Sequence, residues 1–465
     1  MRWKPLPVIG GAYPDDSREW SSADVVNWLL VKAEREGTRS PSKYRNPPGL
    51  SAFCDLGSGL GIRGLHDVEG RLFAVSGSTL YEATNGTVVS RGTIPGVSRV
   101  SMAHNQVAGG NQLAIANGSS GYVFDTRDNT LVQITDPGFI GAKSFDFIDQ
   151  FIVGVDPTGR RAFTSDLADA TSYNTLDQYE AESAPDKIVG QIVTHREWWL
   201  MGSRTIEPFV DTGAGTGTFQ RQSGVVIERG LAATHARVLL DNSVFWLGDD
   251  GSLYRANGYS PQRVSTLPIE SSIASSDLSK AFCFAWEDQG HKVAYFTFPD
   301  GQTWGYDVAS GEWHRRKSYG LNRWRINDLV KWNGQWIAGD YSNGKLYKLD
   351  WSAFDEVGAD LERRRVTTVL ADGGNRVLVN GLKFTIDTGQ PASGSTYMDM
   401  RYSKDGGHNW SDWRKLPMGK TGSFVQTVET RGIGQCRQIT LDIRVTDALK
   451  ADLLEVSAMI EACDS

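Results

Sequence analysis

The sequence contains few cysteines and no long apolar segment. Its four cysteines, Cys54, Cys283, Cys436 and Cys463, are far apart and form no Cys-x-x-Cys pair. This spacing excludes the usual zinc-binding motifs and a dense disulfide framework, and it favours reduced thiols in a protein folded in a cytoplasm. No run of about 18 apolar residues occurs, so we predict no membrane-spanning helix. The first residues lack the charged and apolar segments of a signal peptide, and none is predicted.

Sequence motifs of the common enzyme classes are also missing. There is no Gly-x-Ser-x-Gly nucleophile turn and no P-loop for phosphate binding. The Gly-rich segment at 211–219 is interpreted as a loop tip, because no helical pattern follows it. The histidines, none of which lies in a metal-binding context, are His66, His104, His195, His235, His291, His314 and His408. We therefore predict no catalytic, cofactor-binding or metal-binding residues and no enzymatic activity.

The composition is typical of an all-β protein with many tight turns. The length of 465 residues suggests two or three domains, and 40% hydrophobic residues are enough for a large core. Glycine and tryptophan are frequent, with 51 and 15 copies. The net charge of −7 argues against wrapping of nucleic acid, because phosphate binding depends on Lys and Arg. An acidic wall would instead repel DNA and let it pass.

An internal repeat of paired strands fills the middle of the chain. Each unit has an apolar strand, a turn with Gly, Asn or Asp, and a second strand carrying an aromatic residue. The units begin at Arg71, Asn111, Gln150, Glu197, Ser243, Lys292 and Gln335. Their mean spacing of about 44 residues lies in the range of β-propeller blades. The spacing is uneven and no WD40 or kelch signature occurs, so the prediction is six or seven blades, with seven favoured.

The regions before and after the repeat differ from it in composition. Residues 1–65, with six prolines and with Trp3, Trp20 and Trp28, are predicted to form an N-terminal arm that wraps the domain or reaches a neighbour, and packing on a partner or neighbouring subunit is favoured. Within the arm, residues 21–37 fit either a short capped helix or an extended segment. Residues 66–350 form the predicted propeller, and 351–465 alternate apolar and polar residues as in a β-sandwich-like domain.

One short motif is sharper than the others. The segment SKDGGHNW, residues 403–410, fits the Asp-box pattern of sialidases and many other β proteins. In such a turn Asp405 bonds backbone groups, Gly407 takes a special conformation and Trp410 packs beneath. A structural role is favoured over a glycan site, because there is one box and it lies outside the repeat.

Three basic clusters occur, at 314–317, 323–325 and 363–365. Basic residues mixed with tryptophan bind phosphates or single strands in other proteins. A solvated strand face or a salt-bridged interface is favoured here, because the chain as a whole is acidic.

Several segments resemble a known family. They are PLPVIGGAY near the start, EREGTRSP at 34–41, NPPGL at 46–50, SRVSMAH at 98–104, the long segment 163–190, GSRTIEPF at 202–209 and GVVIERG at 224–230. Through them the chain is similar to the packaged-DNA stabilisation proteins, also called tail hub or nozzle proteins, of short-tailed bacteriophages. The resemblance covers roughly residues 5–350, and its most specific part is the segment 163–190.

The resemblance implies a structural role in the virion tail. Such proteins join the portal–adaptor complex after DNA packaging and form a ring, expected to be a hexamer, that extends and closes the DNA channel. They retain the genome and carry a needle or plug with tailspikes nearby, and the DNA passes without sequence-specific binding. The protein would be made in the bacterial host cytoplasm, with no cofactor and no catalytic residues to carry over. The alternative function is a sialidase-like or glycan-binding propeller, which would need paired carboxylates for hydrolysis.

Overall fold

The structure is a computed structural model that describes residues 3–105, 111–181, 184–389, 396–419 and 424–463. Its regular secondary structure is almost entirely β-strand, and its main feature is a succession of seven blades of four antiparallel strands, of which the sixth belongs to a larger sheet. Within the described residues no helix is both long enough and apolar enough to span a membrane. The predicted all-β propeller with a C-terminal sandwich is confirmed.

The first strands of the chain lie before the propeller. They are β1 (Trp3–Pro5), β2 (Tyr13–Pro14), β3 (Ser22–Val26), β4 (Leu29–Lys32), β5 (Ser42–Arg45) and β6 (Gly49–Asp55). Of the two alternatives for residues 21–37, the structure has the extended one.

The next strands form the seven blades in chain order. Blade 1 has β7 (Ile62–Val68), β8 (Arg71–Ser76), β9 (Thr79–Thr84) and β10 (Thr87–Thr93); blade 2 has β11 (Ser101–Asn105), β12 (Gln112–Ala116), β13 (Gly121–Asp125) and β14 (Thr130–Gln133); blade 3 has β15 (Ser144–Ile148), β16 (Phe151–Val155), β17 (Ala162–Asp166) and β18 (Asp169–Tyr179); blade 4 has β19 (Ile188–Thr194), β20 (Glu197–Gly202), β21 (Ile206–Asp211) and β22 (Phe219–Arg221). Blade 5 has β23 (Arg237–Leu240), β24 (Ser243–Leu247), β25 (Leu253–Asn257) and β26 (Ser260–Arg263); blade 6 has β27 (Phe282–Asp288), β28 (His291–Thr297), β29 (Thr303–Asp307) and β30 (Glu312–Arg316); blade 7 has β31 (Ile326–Trp332), β32 (Gln335–Asp340) and β33 (Lys345–Asp350). A short helix, α1 (Leu267–Ile273), and one 3₁₀ turn (Leu278–Lys280) connect blades 5 and 6.

The seven hairpins found in the sequence are the second and third strands of the blades. In the six blades whose connection the structure describes, a further tight turn joins the first and second strands, and it was not anticipated. In six blades both of its residues have positive φ, as in the turns preferred by hairpins. These turns are Glu69-Gly70, Asp149-Gln150, His195-Arg196, Asp241-Asn242, Gln289-Gly290 and Asn333-Gly334. The corresponding turn of blade 2 falls outside the described residues.

The ring is closed by a strand from the N-terminal region. Strand β6 pairs antiparallel with β33 and is the fourth strand of blade 7. The predicted arm, 1–65, therefore contains a propeller strand, and β7 begins at Ile62 rather than beyond residue 65. The physical reason is that three strands of blade 7 would leave an open outer edge, which β6 covers while it joins the two ends of the propeller.

The core lies between neighbouring blades. Each blade interface has its own cluster of buried apolar side chains, such as Phe73 with Phe124 between blades 1 and 2, and Trp198 with Val153 between blades 3 and 4. The cluster between blades 5 and 6 continues without interruption into the C-terminal domain. Radial packing thus buries both faces of sheets that could not be stable alone.

The C-terminal domain contains two facing sheets. Its strands are β34 (Arg363–Val366), β35 (Leu370–Ala371), β36 (Val377–Asp387), β37 (Tyr397–Ser403), β38 (Arg414–Pro417), β39 (Val425–Cys436), β40 (Gln438–Val445) and β41 (Asp452–Ala462). One sheet has the order β1-β41-β36-β39. The other, β34-β40-β37-β38, is joined through β3 to the outer strand of blade 6, so that propeller and sandwich share one continuous sheet.

The described part of the arm packs on its own chain. Strand β1 adds to β41, β3 lies between β30 and β34, and Trp28 is buried at 1% exposure. The favoured prediction, that the arm packs on a partner or neighbour, differs from this arrangement. Trp20, 68% exposed, is the tryptophan of the arm that keeps most of its surface open.

Candidate functional site: the propeller axis and the domain joint

The first strand of each blade faces the propeller axis and leaves one edge without a strand partner. Such an edge carries free N–H and C=O groups that need partners. Side chains of a neighbouring blade supply some of them. Asp328 in blade 7 accepts the N–H of Leu65 in blade 1 at 2.8 Å, and Asp146 in blade 3 accepts the N–H of Val193 in blade 4 at 2.9 Å. These bonds connect neighbouring blades close to the axis.

Hydrogen bonds also connect the inner strands of other neighbouring blades. The N–H of Phe145 in blade 3 donates to the hydroxyl of Ser101 in blade 2 at 3.1 Å, and that hydroxyl lies 2.9 Å from the carbonyl oxygen of Phe145. The N–H of Cys283 at the start of blade 6 donates to the carbonyl of His235 at 2.9 Å. These bonds satisfy individual N–H and C=O groups along the inner edges.

Arg99 crosses the axis at one end. It precedes blade 2, yet its guanidinium lies 4.0 Å from the ring centre of Phe282 in blade 6. It also donates to the carbonyl of Asn327 and lies 3.7 Å from Asp328, both in blade 7. Blades 2 and 6 are three positions apart in a ring of seven, which is nearly opposite. The Arg99 side chain therefore connects the start of blade 2 with blades 6 and 7.

Burial is the largest cause of the pKa shifts of the charged groups at the axis. It raises the pKa of the carboxyl groups of Asp146 and Asp328, and it lowers the pKa of the guanidinium groups of Arg99 and Arg237. Opposite charges act against these shifts, with Arg99 near Asp328 and Arg237 near Asp146. The axis thus contains one ion pair, Arg99 with Asp328, and a second set of opposite charges, Arg237 and Asp146, that influence each other's pKa.

We expect Asp328→Ala to lower the free energy of unfolding by about 2 kcal/mol, because it leaves the Leu65 N–H without its acceptor and removes the carboxylate that pairs with the Arg99 guanidinium. Asp328→Asn should cost less, since the amide oxygen can still accept the N–H of Leu65. Urea unfolding followed by tryptophan fluorescence measures both. The matched control is Asp166→Ala on the exposed end of β17. Equal unfolding midpoints for Asp328→Ala and this control would show that the bonds of Asp328 do not stabilise the contact between blades 7 and 1.

The arginines of the basic clusters form hydrogen bonds and ion pairs inside the chain. Arg363 is fully buried and donates to the carbonyl oxygens of Val445 at 3.2 Å and Leu449 at 2.8 Å, to that of Asp447 at 2.5 Å, and to the side-chain oxygen of Asn46 at 2.9 Å. The sequence favoured a solvated strand face or a salt-bridged interface, whereas Arg363 is buried and forms hydrogen bonds within the chain. It ties the beginning of β34 to the end of β40 and to the N-terminal region.

The neighbouring arginines follow the same pattern. Arg364 pairs with Asp442 at 2.7 Å, and Arg315 pairs with Asp24 of the arm. Arg365 donates to the carbonyls of Val8 at 2.9 Å and Gly11 at 3.0 Å. Arginines of both the propeller and the C-terminal domain therefore bind the arm.

Two arm residues complete the joint. The side-chain amide of Asn27 donates to the carbonyls of Lys317 in the propeller and Glu362 in the C-terminal domain, both at 2.8 Å. The indole N–H of Trp28 donates to the carbonyl of Ala451 at 2.8 Å, and its ring stacks on Tyr44. Since these residues bond to both domains at once, the arm fixes their relative orientation. We call this arrangement of β3, β30, β34 and the bonded residues the joint.

The Asp box also contacts the arm. Asp405 accepts hydrogen bonds from the Ser403 hydroxyl at 2.6 Å and the Asn409 N–H at 2.8 Å, and these bonds lower the pKa of its carboxyl. Arg18 of the arm donates to the carbonyl of Gly407 at 3.4 Å. The turn holds its own shape and supports the arm, as expected for a structural role.

The histidines are dispersed through the fold. His66 and His104 bond each other at 2.7 Å between blades 1 and 2, and His291 bonds the buried Asp307 at 2.7 Å. Across the described ranges no group of three or more His, Cys, Asp or Glu side chains is placed to hold a metal ion. The Gly-rich segment 211–219 forms the turn between β21 and β22, consistent with its interpretation as a loop tip.

Sequence reasoning did not identify Arg99, Asp146, Asp328 or Asn27. Each is a single polar residue whose partner is distant in the sequence, so no spacing signals it. The one signal in the sequence is the residue type at position 27. Asn27 has a positive φ, and asparagine tolerates this conformation better than most residues.

Comparison with known proteins gives matches over both domains. The family model for bacteriophage P22 Gp10, β-propeller, matches residues 4–353, and the model for the β-sandwich of the same Gp10 matches residues 362–461. The tail hub protein gp10 of Salmonella phage P22 is 26% identical over 307 residues, which cover 59% of this chain and 60% of that protein. The match therefore spans less than two thirds of that relative.

Solved structures overlap only loosely. A chain of a mitotic checkpoint complex is 11% identical with a TM-score of 0.43, covering 69% of this chain and 98% of that one. YCF48 from Cyanidioschyzon merolae is also 11% identical, with a TM-score of 0.42 and coverage of 64% and 99%.

Proposed function

Because the chain belongs to the bacteriophage P22 Gp10 β-propeller family, we propose that it is a structural component of a phage tail hub. The observation that carries this proposal is the succession of two family matches, for the propeller and then the sandwich of the same Gp10, over residues 4–353 and 362–461. A relative of this chain is itself described as a tail hub protein. The proposed location is the virion tail, after synthesis in the host cytoplasm.

The finer role follows from the family resemblance. We propose that several copies, expected to be six, form a ring below the portal–adaptor complex. The ring extends and closes the DNA channel, retains the packaged genome and carries the needle or plug and the tailspikes. A closed ring of identical subunits requires a head-to-tail contact between two different surfaces of the chain.

The DNA route in this proposal runs through the centre of the ring of subunits and not through a single propeller. Support comes from Arg99, which reaches across the propeller axis to blades 6 and 7. The repeat region 66–350 has 25 Lys and Arg against 32 Asp and Glu, so that its surface would repel phosphates rather than hold them.

The joint is consistent with a component that must keep its two domains in a fixed orientation under mechanical force. One sheet runs from blade 6 through β3 into the C-terminal domain, and one apolar cluster extends across the same boundary. A continuous core and sheet resist a change in domain orientation, because packed interiors deform little. Such rigidity suits a component that holds a channel closed against packaged DNA.

The test is electron microscopy of particles from the parent phage with this gene disrupted, together with measurement of encapsidated DNA. We expect heads to form but to lack the tail tip and to lose their DNA, and a plasmid copy of the gene should restore both. Complete, DNA-filled particles in the disruptant would refute the hub role. If those particles failed only in binding or degrading host glycans, a glycan-directed function would replace it.

A further inference from the structure

We propose that the subunits of the ring contact one another through Leu176 on blade 3 of one copy and an apolar groove beside the arm hairpin β4–β5 of the next copy. This inference rests on the proposed function, because it specifies the contact that the ring requires.

Leu176 is presented by a bulge in the outer strand of blade 3. Phe163 pairs with Gln178 and Ser165 pairs with Tyr173, so that four residues of β18 lie opposite one residue of β17. The extra residues leave the sheet, and Leu176 among them is 71% exposed. Bulges of this kind redirect side chains and are specific features of a fold.

The bulge is held at both ends. The N–H of Leu176 donates to the side-chain oxygen of Asn174 at 3.0 Å. On the other side the buried carboxylate of Asp177 accepts the N–H of Gly217 in blade 4 at 2.6 Å. An exposed leucine on a fixed backbone loses little freedom on binding, which favours its use as an anchor.

The groove lies on the far side of the molecule. It has a volume of about 180 Å³, and its apolar lining comes from Val31 and Ala33 of the arm and Leu454 of β41. An apolar cavity of about 150 Å³ accepts a molecule as large as benzene. The groove therefore has room for the side chain of one leucine.

The two surfaces are placed for a head-to-tail contact. The arm and the C-terminal domain are attached to blade 6, and blade 3 is three positions away in the ring of seven. This is the greatest separation that seven blades allow. A subunit with complementary surfaces on opposite sides can bind one neighbour on each side, and such contacts close into rings.

The charges around the two surfaces are complementary. The leucine is flanked along the blade edge by two exposed acidic residues, Asp166 and Glu180, of which Glu180 pairs with the exposed Arg161. The groove is bordered by Arg39 and Lys43, whose side chains are 55% and 40% exposed. Arg39 pairs with Glu455 and Lys43 pairs with Asp452, whose side chains are 26% and 3% exposed, so the cation is the more exposed member of each pair. Opposite charges at the rim favour this orientation over the reverse one.

The proposal is tested with Leu176→Asp in the gene-disrupted phage complemented from a plasmid. We expect at least tenfold less of this variant than of wild type in purified particles, because a charge replaces the anchor. The matched control is Val132→Asp, an exposed apolar residue on the outer strand of blade 2, which should be incorporated normally. Circular dichroism melting of both purified variants establishes that each is folded.

A cross-link identifies the contact directly. In the double variant Leu176→Cys with Ser40→Cys, a bifunctional maleimide should give covalent multimers that neither single variant gives. The reaction is carried out on particles and on concentrated purified protein, so that the contact is judged even if the chain is missing from particles. Absence of multimers specific to the double variant in both samples would overturn the contact. Absence of wild-type chain from particles would instead refute the hub role.

Discussion

Arg363→Met is expected to lower the free energy of unfolding by about 3–5 kcal/mol and to loosen the C-terminal domain from the propeller. Arg363 has no exposed surface and donates to four acceptors, on Asn46, Val445, Asp447 and Leu449. Methionine fills a similar volume but leaves those acceptors buried without donors, and each unmet acceptor is costly. Burial lowers the pKa of Arg363 to about 10, so that the wild-type group remains charged at neutral pH.

The measurement combines urea unfolding with limited proteolysis and mass spectrometry. We expect new cleavage sites between residues 351 and 362, where the propeller leads into β34. The matched control is Arg431→Met, because the side chain of Arg431 is 73% exposed and pairs only loosely with Glu429. If the two variants unfold at the same urea concentration and are cut at the same rate, Arg363 does not hold the joint.

Acidification is expected to destabilise the protein steeply between pH 6.5 and 4. Burial lowers the pKa of His66 to about 3 and that of His314 to about 4, and it lowers that of His235 well below the ordinary value. These groups stay neutral in the folded state but bind protons near pH 6.5 when unfolded. Their stability contribution is therefore present above pH 6.5 and is lost as the pH falls toward the folded pKa.

The size of this effect follows from linkage. At pH 5 a histidine with a folded pKa near 3 or 4 costs about 2 kcal/mol relative to neutral pH. Asp146 and Asp328, whose pKa values burial raises, act in the opposite direction as they take up protons. We therefore expect the net loss to be greatest before these carboxyl groups protonate.

The variant that tests this is His66→Gln, whose amide can still bond His104. Its loss of stability between pH 7 and pH 5 should be about 2 kcal/mol smaller than that of wild type, measured by urea unfolding at each pH. The control is His408→Gln on the exposed Asp-box turn, which should leave the pH dependence unchanged. A wild-type stability that is flat from pH 7 to 5 would show that these histidines do not titrate as described.

The repeat was predictable because its information is local. Alternation of apolar residues and the turn pairs Asp250-Gly251, Asp300-Gly301 and Asn343-Gly344 mark hairpins regardless of what packs on them. The turns Asp149-Gln150 and His195-Arg196 were not anticipated, because they adopt positive φ without glycine. There the strands on either side impose the turn.

The sequence by itself determined the all-β class, the seven hairpins and the family resemblance, since each depends on neighbouring residues. Only the tertiary structure decided that β6 closes blade 7, that the arm lies within its own chain and that the arginine clusters are internal. Those outcomes depend on partners that are not neighbours in the sequence, such as β6 with β33, Asn27 with Lys317 and Arg364 with Asp442. A strand edge or a guanidinium is satisfied by whichever acceptor the fold brings near, and a linear pattern of residues does not specify that partner.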